Sequence, residues 1–163
     1  MDPYLAIASK RDERAYSDAP VSAEVRERIL DAGRLSGSSR NRQRWEFAVV
    51  SGRARDDLAE AVYAPENVRT AALVVAIVGE AGGFDSGRCA QNMMLAAWGD
   101  GVVSCPNGVR DGDLAAEICG GEVRAILSFG YAGRPRDPAS RTAVEWSGRA
   151  NRKPLSELVR EVS

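Results

Sequence analysis

The 163-residue sequence predicts a single α+β domain spanning residues 1–163. Three observations carry this. The run Ala71-Ala72-Leu73-Val74-Val75-Ala76-Ile77-Val78 is apolar throughout, as expected of a strand buried on both faces. Two further strand signals, Trp45 to Val50 and Val123 to Tyr131, combine aromatic with β-branched residues. Between these segments lie stretches with apolar residues at helical spacing, and neither a repeat nor a linker divides the chain.

Pro3 to Lys10 reads as a short opening helix. Ser22 is a suitable N-cap for a helix from Ala23 to Leu35, whose stripe is Val25, Ile29, Leu30 and Ala32. The polar stretch Ser36 to Arg44 follows, then the strand from Trp45. A short helix is expected over Arg55 to Tyr63, and a long one over Phe84 to Asp100, ended by Gly101. Val102 to Cys105 reads as a brief strand stopped by the turn Pro106-Asn107-Gly108. Asp113 to Cys119 reads as a helix, and Leu155 to Val162 as the last one. Ala132 to Arg152, rich in Pro, Arg and Ser, reads as an extended arm of the kind that reaches a second subunit.

Composition narrows the function classes. With 22 basic and 23 acidic residues the net charge is −1, so the basic surplus that neutralises a nucleic-acid backbone is missing. The longest apolar run is too short to span a bilayer and the N-terminus does not read as a signal peptide, so a soluble, cytoplasmic chain is expected. The three cysteines, Cys89, Cys105 and Cys119, are widely spaced and read as reduced thiols rather than a disulfide framework or metal site. There is no histidine. That removes Ser-His-Asp and Cys-His catalysis and the commonest metal ligand, so an enzyme built on this chain needs a cofactor to carry the chemistry.

Four constellations could bind a ligand. In Lys10-Arg11-Asp12-Glu13-Arg14-Ala15-Tyr16, a helix-like turn would put Arg11 and Arg14 on one side, where two guanidinium forks suit a phosphate; a solvated helix end is the competing reading. Ser38, Ser39, Asn41 and Gln43 offer neutral donors and acceptors, or form an ordinary surface loop. Pro106-Asn107-Gly108 can present backbone N–H groups, although such turns are common. Arg152-Lys153-Pro154 is an isolated basic triplet. A fifth segment, Gly82 to Cys89, has P-loop spacing but carries Arg88 and Cys89 where that motif requires Lys and Ser or Thr, which argues against an NTPase.

In this order the pieces resemble the FMN-dependent nitroreductase family, and the resemblance extends over essentially the whole chain. Its opening Arg-x-Ser-x-x-Arg or Arg-Ser-x-Arg element, ending on an aromatic, is similar to Arg11-Asp12-Glu13-Arg14-Ala15-Tyr16. Its Pro-Ser-x-x-Asn-x-Gln-Pro-Trp-x-Phe element is similar to Gly37 through Phe47. Its central helix resembles Cys89 to Ala97, its Gly-x-x-Ser-Cys-Pro-x-Gly turn matches Gly101 to Gly108, and its closing Arg-Lys-Pro-Leu matches Arg152 to Leu155. The resemblance implies a nitroreductase-like fold with a central, mostly antiparallel sheet flanked by helices, assembled as an intertwined homodimer. It implies FMN as cofactor, with Arg11, Arg14, Arg152 and Lys153 at the phosphate and Asp12 in the same segment. Ser38, Ser39 and Asn41 would reach the cofactor, the serines from the second subunit, and Pro106, Asn107 and Gly108 would face the reactive edge near N5. The implied activity is ping-pong hydride transfer from NADH or NADPH to a nitro, quinone or related acceptor, with no side chain as catalytic acid or base and no metal. A flavin-dependent dehydrogenase or oxidase of a small molecule, and a non-catalytic flavin-binding module, are the alternatives. Departures are Asp12 in place of the family's Ser, Gly37 and Arg44 in place of its prolines, and a region between Phe47 and Ala71 too short for the helices that larger members place over the flavin.

Overall fold

The computed structural model describes residues 2–162, which form two compact units, residues 11–136 and residues 2–10 with 137–162. The larger unit is built on four strands, β1 (Glu46–Val50), β2 (Leu73–Val78), β3 (Val102–Asn107) and β4 (Val123–Tyr131). Their order is β1-β2-β4-β3 and every pairing is antiparallel.

All six residues of β2 are buried, and the strand period of two divides them between two layers. Leu73, Val75 and Ile77 join Leu127 and Phe129 of β4 in one apolar cluster. Helices α2 (Ala23–Arg34) and α5 (Gly83–Gly99) close this face with Val25, Ile29, Cys89, Met93 and Ala97. Val74, Ala76 and Val78 join Val50 and Ile126 in a second cluster, covered by α3 (Gly52–Glu60), α4 (Pro65–Arg69) and α6 (Gly112–Cys119). Helix α2 starts at Ser22, whose Oγ accepts from Val25 N at 3.3 Å. Helix α6 ends at Gly120 with φ +77°, a left-handed C-cap suited to glycine.

The smaller unit holds α1 (Pro3–Ser9) and α7 (Ala143–Arg149), which pack on each other. Asp2 caps α1, and Thr142 with Glu145 forms a capping box on α7. Trp146 Nε1 donates to Pro138 O at 2.9 Å, and the Arg141 guanidinium lies 5.0 Å from the Trp146 ring centre.

Four expectations change. The stretch Ala132 to Arg152 is not extended throughout, because the Thr142-Val144-Glu145 region satisfies a helix start and α7 forms there. Leu155 to Val162 forms only one 3-10 turn, Leu155–Glu157; Leu155, Leu158, Val159 and Val162 are all exposed, and a short helix without a packed face does not propagate. Strand β3 runs on through Pro106 to Asn107 instead of stopping at Cys105. Residues 10–16 are extended, not a helical turn. Among the described residues no helix is long and apolar enough to cross a membrane.

Candidate functional site

The arginine segment lies along the outer edge of β3. Asp12 bridges Ser104 in parallel and Glu13 N donates to Ser104 O at 3.1 Å. The segment holds no helical turn, so the helix-like spacing that would set Arg11 and Arg14 on one side is not the geometry here. Arg11 is half-buried, Arg14 and Asp12 are exposed, and Arg14 forms no ion pair among the described residues. Glu13 is held by Arg136 through two hydrogen bonds of 2.6 and 2.7 Å.

Two residues beyond Arg14 the chain dives inward. Tyr16 lays its ring on Gly130, where an added Cβ would sit 2.7 Å from Tyr16 Cδ1. Its hydroxyl shares a 2.8 Å hydrogen bond with Ser128 Oγ and lies 3.3 Å from Ser128 O. Burial pushes the phenol up to about 12, against a smaller lowering by the Ser128 bond. The fully buried Ser128 also accepts from Asn107 Nδ2 at 3.0 Å and donates to Cys105 O at 3.3 Å. Asn107 Nδ2 reaches Cys105 O at 3.2 Å and Ile126 O at 3.3 Å as well. Asn107 Oδ1, and Ser104 Oγ on the opposite sheet face, are buried without a hydrogen-bond partner among the described residues.

Pro106 fits in β3 because it lies at the sheet edge. Cys105 and Asn107 alternate with Ser104 and Pro106 along the strand, and Ser104 O is spent on Glu13, away from β4. Pro106 therefore faces the outer edge, where its missing N–H breaks no ladder bond. Gly108 follows, exposed, and its N–H donates to nothing among the described residues. Its carbonyl accepts from Tyr63 N at 3.0 Å, and a Cβ added at Gly108 would lie 3.1 Å from Cδ2 of the Tyr63 ring, itself 74% exposed. An exposed donor at a strand end is suited to an acceptor atom on a ligand.

The loop before β1 is tightly coiled. Arg40, Asn41 and Gln43 all have φ near +50°, at 54°, 53° and 48°. Such left-handed backbone costs of order 1 kcal/mol per non-glycine residue and persists only where side chains hold it. Here Ser38 Oγ accepts from Gln43 N at 2.9 Å and Asn41 Oδ1 accepts from Gln43 Nε2 at 3.0 Å. Ser39 N donates to Asp85 Oδ2 at 3.3 Å, anchoring the loop at the start of α5.

The structure thus joins Arg11, Asp12 and Arg14 to the strand that carries Pro106, Asn107 and Gly108. It does not join Ser38, Ser39 and Asn41 to them. That loop leads into β1, and β1 and β3 are opposite edges of the sheet, three strand spacings or about 14 Å apart. Arg152 and Lys153 are exposed in the smaller unit. An open groove of about 590 Å³ between α2 and Phe47 is lined by Ala23, Leu30 and charged α2 residues and includes none of the predicted site residues. Cys89 is buried core, and burial raises its thiol and that of Cys119. Among the described residues no cluster of Cys, Asp and Glu could hold a metal. Sequence analysis names Asn107 as a site residue but not its bonds to Ser128 and, through it, Tyr16; Ser128, alone between Leu127 and Phe129 in an apolar strand, is the one visible sign of them.

Comparison with known proteins shows what the chain is similar to. Residues 7–82, which contain the arginine segment, the coiled loop, β1 and β2, match the family described as Nitroreductase family. Over these residues the chain is similar to the nitroreductase family. A curated nitrobenzene nitroreductase of Ectopseudomonas oleovorans is 38% identical over 55 residues, covering 34% of this chain and 24% of the relative. The match therefore spans about a quarter of that relative's length. A nitroreductase family protein of Clostridium difficile 630 has the same fold, with a TM-score of 0.82 and 23% identity over 100% of this chain and 99% of that one. A nitroreductase-like protein of Desulfovibrio desulfuricans, solved in complex with FMN, gives a TM-score of 0.79 and 25% identity over 100% and 98%. The nitroreductase fold accounts for the antiparallel sheet with helices on both faces.

Proposed function

We propose that this chain is a nitroreductase-like, FMN-dependent oxidoreductase that draws on NADH or NADPH to reduce a nitro, quinone or related small-molecule acceptor. The observation that carries the reading is the exposed, unpartnered N–H of Gly108 at the end of β3, on the strand edge that also seats the arginine segment. The donor set fits the cofactor: guanidinium groups for a phosphate, neutral hydroxyls and amides for a polyol and ring carbonyls, and a backbone N–H for a ring nitrogen. Bound FMN would supply hydride transfer at N5 in a ping-pong cycle, which suits a chain with no histidine.

The chain's residues bind and orient. Arg11 and Arg14, with Arg152 and Lys153, would hold the phosphate; Asp12, exposed in the same segment, would temper its affinity. Ser38, Ser39 and Asn41 would reach the cofactor, and Pro106, Asn107 and Gly108 would border its reactive edge, with the Gly108 N–H donating toward N5. Because loop 38–43 and Gly108 belong to opposite sheet edges, a site that uses both takes them from two copies. That supports a homodimer, with residues 1–163 as one domain of a cytoplasmic protein.

Titration of the purified protein with FMN, followed by anaerobic addition of NADH or NADPH, tests the reading. Quenched flavin fluorescence and a bleached flavin band are expected, from a dimer in sedimentation. Protein that binds no FMN refutes it, and bound flavin that neither nicotinamide bleaches points to the dehydrogenase alternative.

A further inference from the structure

We infer that Tyr16 is a positioning residue: through Ser128 and Asn107 it holds the end of β3 that carries the Gly108 amide. The inference rests on the reading above, in which that amide faces the flavin, and extends it to a residue with no contact to the cofactor.

Tyr16 packs against the apolar cluster on the α3, α4 and α6 face of the sheet. A phenylalanine would fill the same space, so packing alone does not call for a hydroxyl there. The hydroxyl instead meets Ser128 at 2.8 Å, and the two bonds Ser128 makes with Asn107 and Cys105 continue the line to the last residues of β3. Polar groups in an apolar layer are costly unless their bonds are complete, and complete networks lock one geometry. Asn107 Nδ2 donates to Ser128 Oγ, Ser128 Oγ donates to Cys105 O, and the Tyr16 hydroxyl donates to Ser128 O while sharing with Ser128 Oγ a bond in which either oxygen can donate. A phenol raised to about 12 keeps its proton throughout the physiological range and remains a donor.

Asn107 is the residue through which position is passed on. Its side-chain amide grips its own strand at Cys105 O and the neighbouring strand at Ile126 O and Ser128 Oγ, immediately before Gly108. Its Oδ1 is buried and unpartnered among the described residues, so Nδ2 alone fixes the carboxamide, and loss of Ser128's support leaves it two carbonyls. At the other end, Tyr16 follows Arg14 by two residues, and Glu13 N is tied to Ser104 O on the same strand. The phosphate-binding segment and the Gly108 amide are thus two ends of one bonded line.

The test uses Tyr16→Phe in full-length protein loaded with FMN, with Ser128→Ala as a second variant that breaks the same line. Hydrogen exchange is read in peptides over residues 102–108 and compared with β2, residues 73–78. Expected is exchange about five- to tenfold faster over 102–108 with β2 unchanged, the scale of one lost hydrogen bond. A several-fold fall in kcat is expected, with KM for the nicotinamide and the FMN Kd held. Exchange that is unchanged over 102–108, or accelerated equally in β2, would overturn the positioning role. Wild-type protein that binds no FMN overturns the functional reading and this inference together. Flavin-loaded, active wild type beside a Tyr16→Phe variant with identical exchange and kcat overturns this inference alone.

Discussion

A methyl group added at Gly130 would lie 2.7, 2.8 and 2.9 Å from Cδ1, Cγ and Cβ of Tyr16. Gly130 sits within β4 and has no left-handed φ, so the effect of Gly130→Ala is steric and not conformational. The contacts are with the rigid inner part of the ring, which cannot give way without lifting the hydroxyl from Ser128. Overpacking of this kind costs about 1–3 kcal/mol, and the lost hydrogen bond adds about 1 kcal/mol, for a total of about 2–4 kcal/mol. In a chain of this size that corresponds to a fall in Tm of roughly 4 to 16 °C. Urea denaturation of Gly130→Ala, Tyr16→Ala and the double variant decides the matter. Removing the ring relieves most of the clash, so the double variant should be more stable than the sum of the two losses, with a coupling of about 1–3 kcal/mol. Additive losses would refute the account of the Gly130 contact.

Tyr16 also makes stability depend on alkaline pH. Its pKa is about 12 in the folded chain against 10.0 for a free tyrosine, so its contribution is complete below pH 10 and lost as pH rises to 12. Wild type should lose about 2–3 kcal/mol across that window relative to Tyr16→Phe, read as converging urea midpoints. Arg14→Ala should weaken FMN binding by about 1–3 kcal/mol, and fluorescence titration showing unchanged affinity would remove Arg14 from the phosphate site. Arg136→Ala breaks the paired bonds to Glu13, but Arg136 is nearly half exposed, so the loss should be under about 1 kcal/mol and shrink further in high salt. Gly33→Ala would put a methyl 2.8 Å from Phe47 Cζ and 3.0 Å from Met93, forcing α2 off the sheet; a destabilisation of about 1–3 kcal/mol is expected by thermal melting.

Much of this protein was legible in its residue order. The unbroken apolar run that became β2 reads as a doubly covered strand, and the stripe on α2 and the circumference of α5 needed no tertiary information. These readings hold because burial on one or two faces leaves its period in the sequence. The likeness to the nitroreductase family, too, shows in short motifs, two of which lie in the matched residues 7–82. What the tertiary structure alone decided concerns groups whose roles depend on partners far away in the chain. Residues 10–16 are extended because β3, some ninety residues on, offers its free edge, and that pairing overrides a local pattern equally compatible with a helix end. Pro106 sits inside a strand because its edge happens to face away from β4. Ser128 and Tyr16 meet across 112 positions, and no local period records a hydrogen bond of that separation. Local sequence can state which face is apolar; which polar group will wait on that face is settled only when the strands pair.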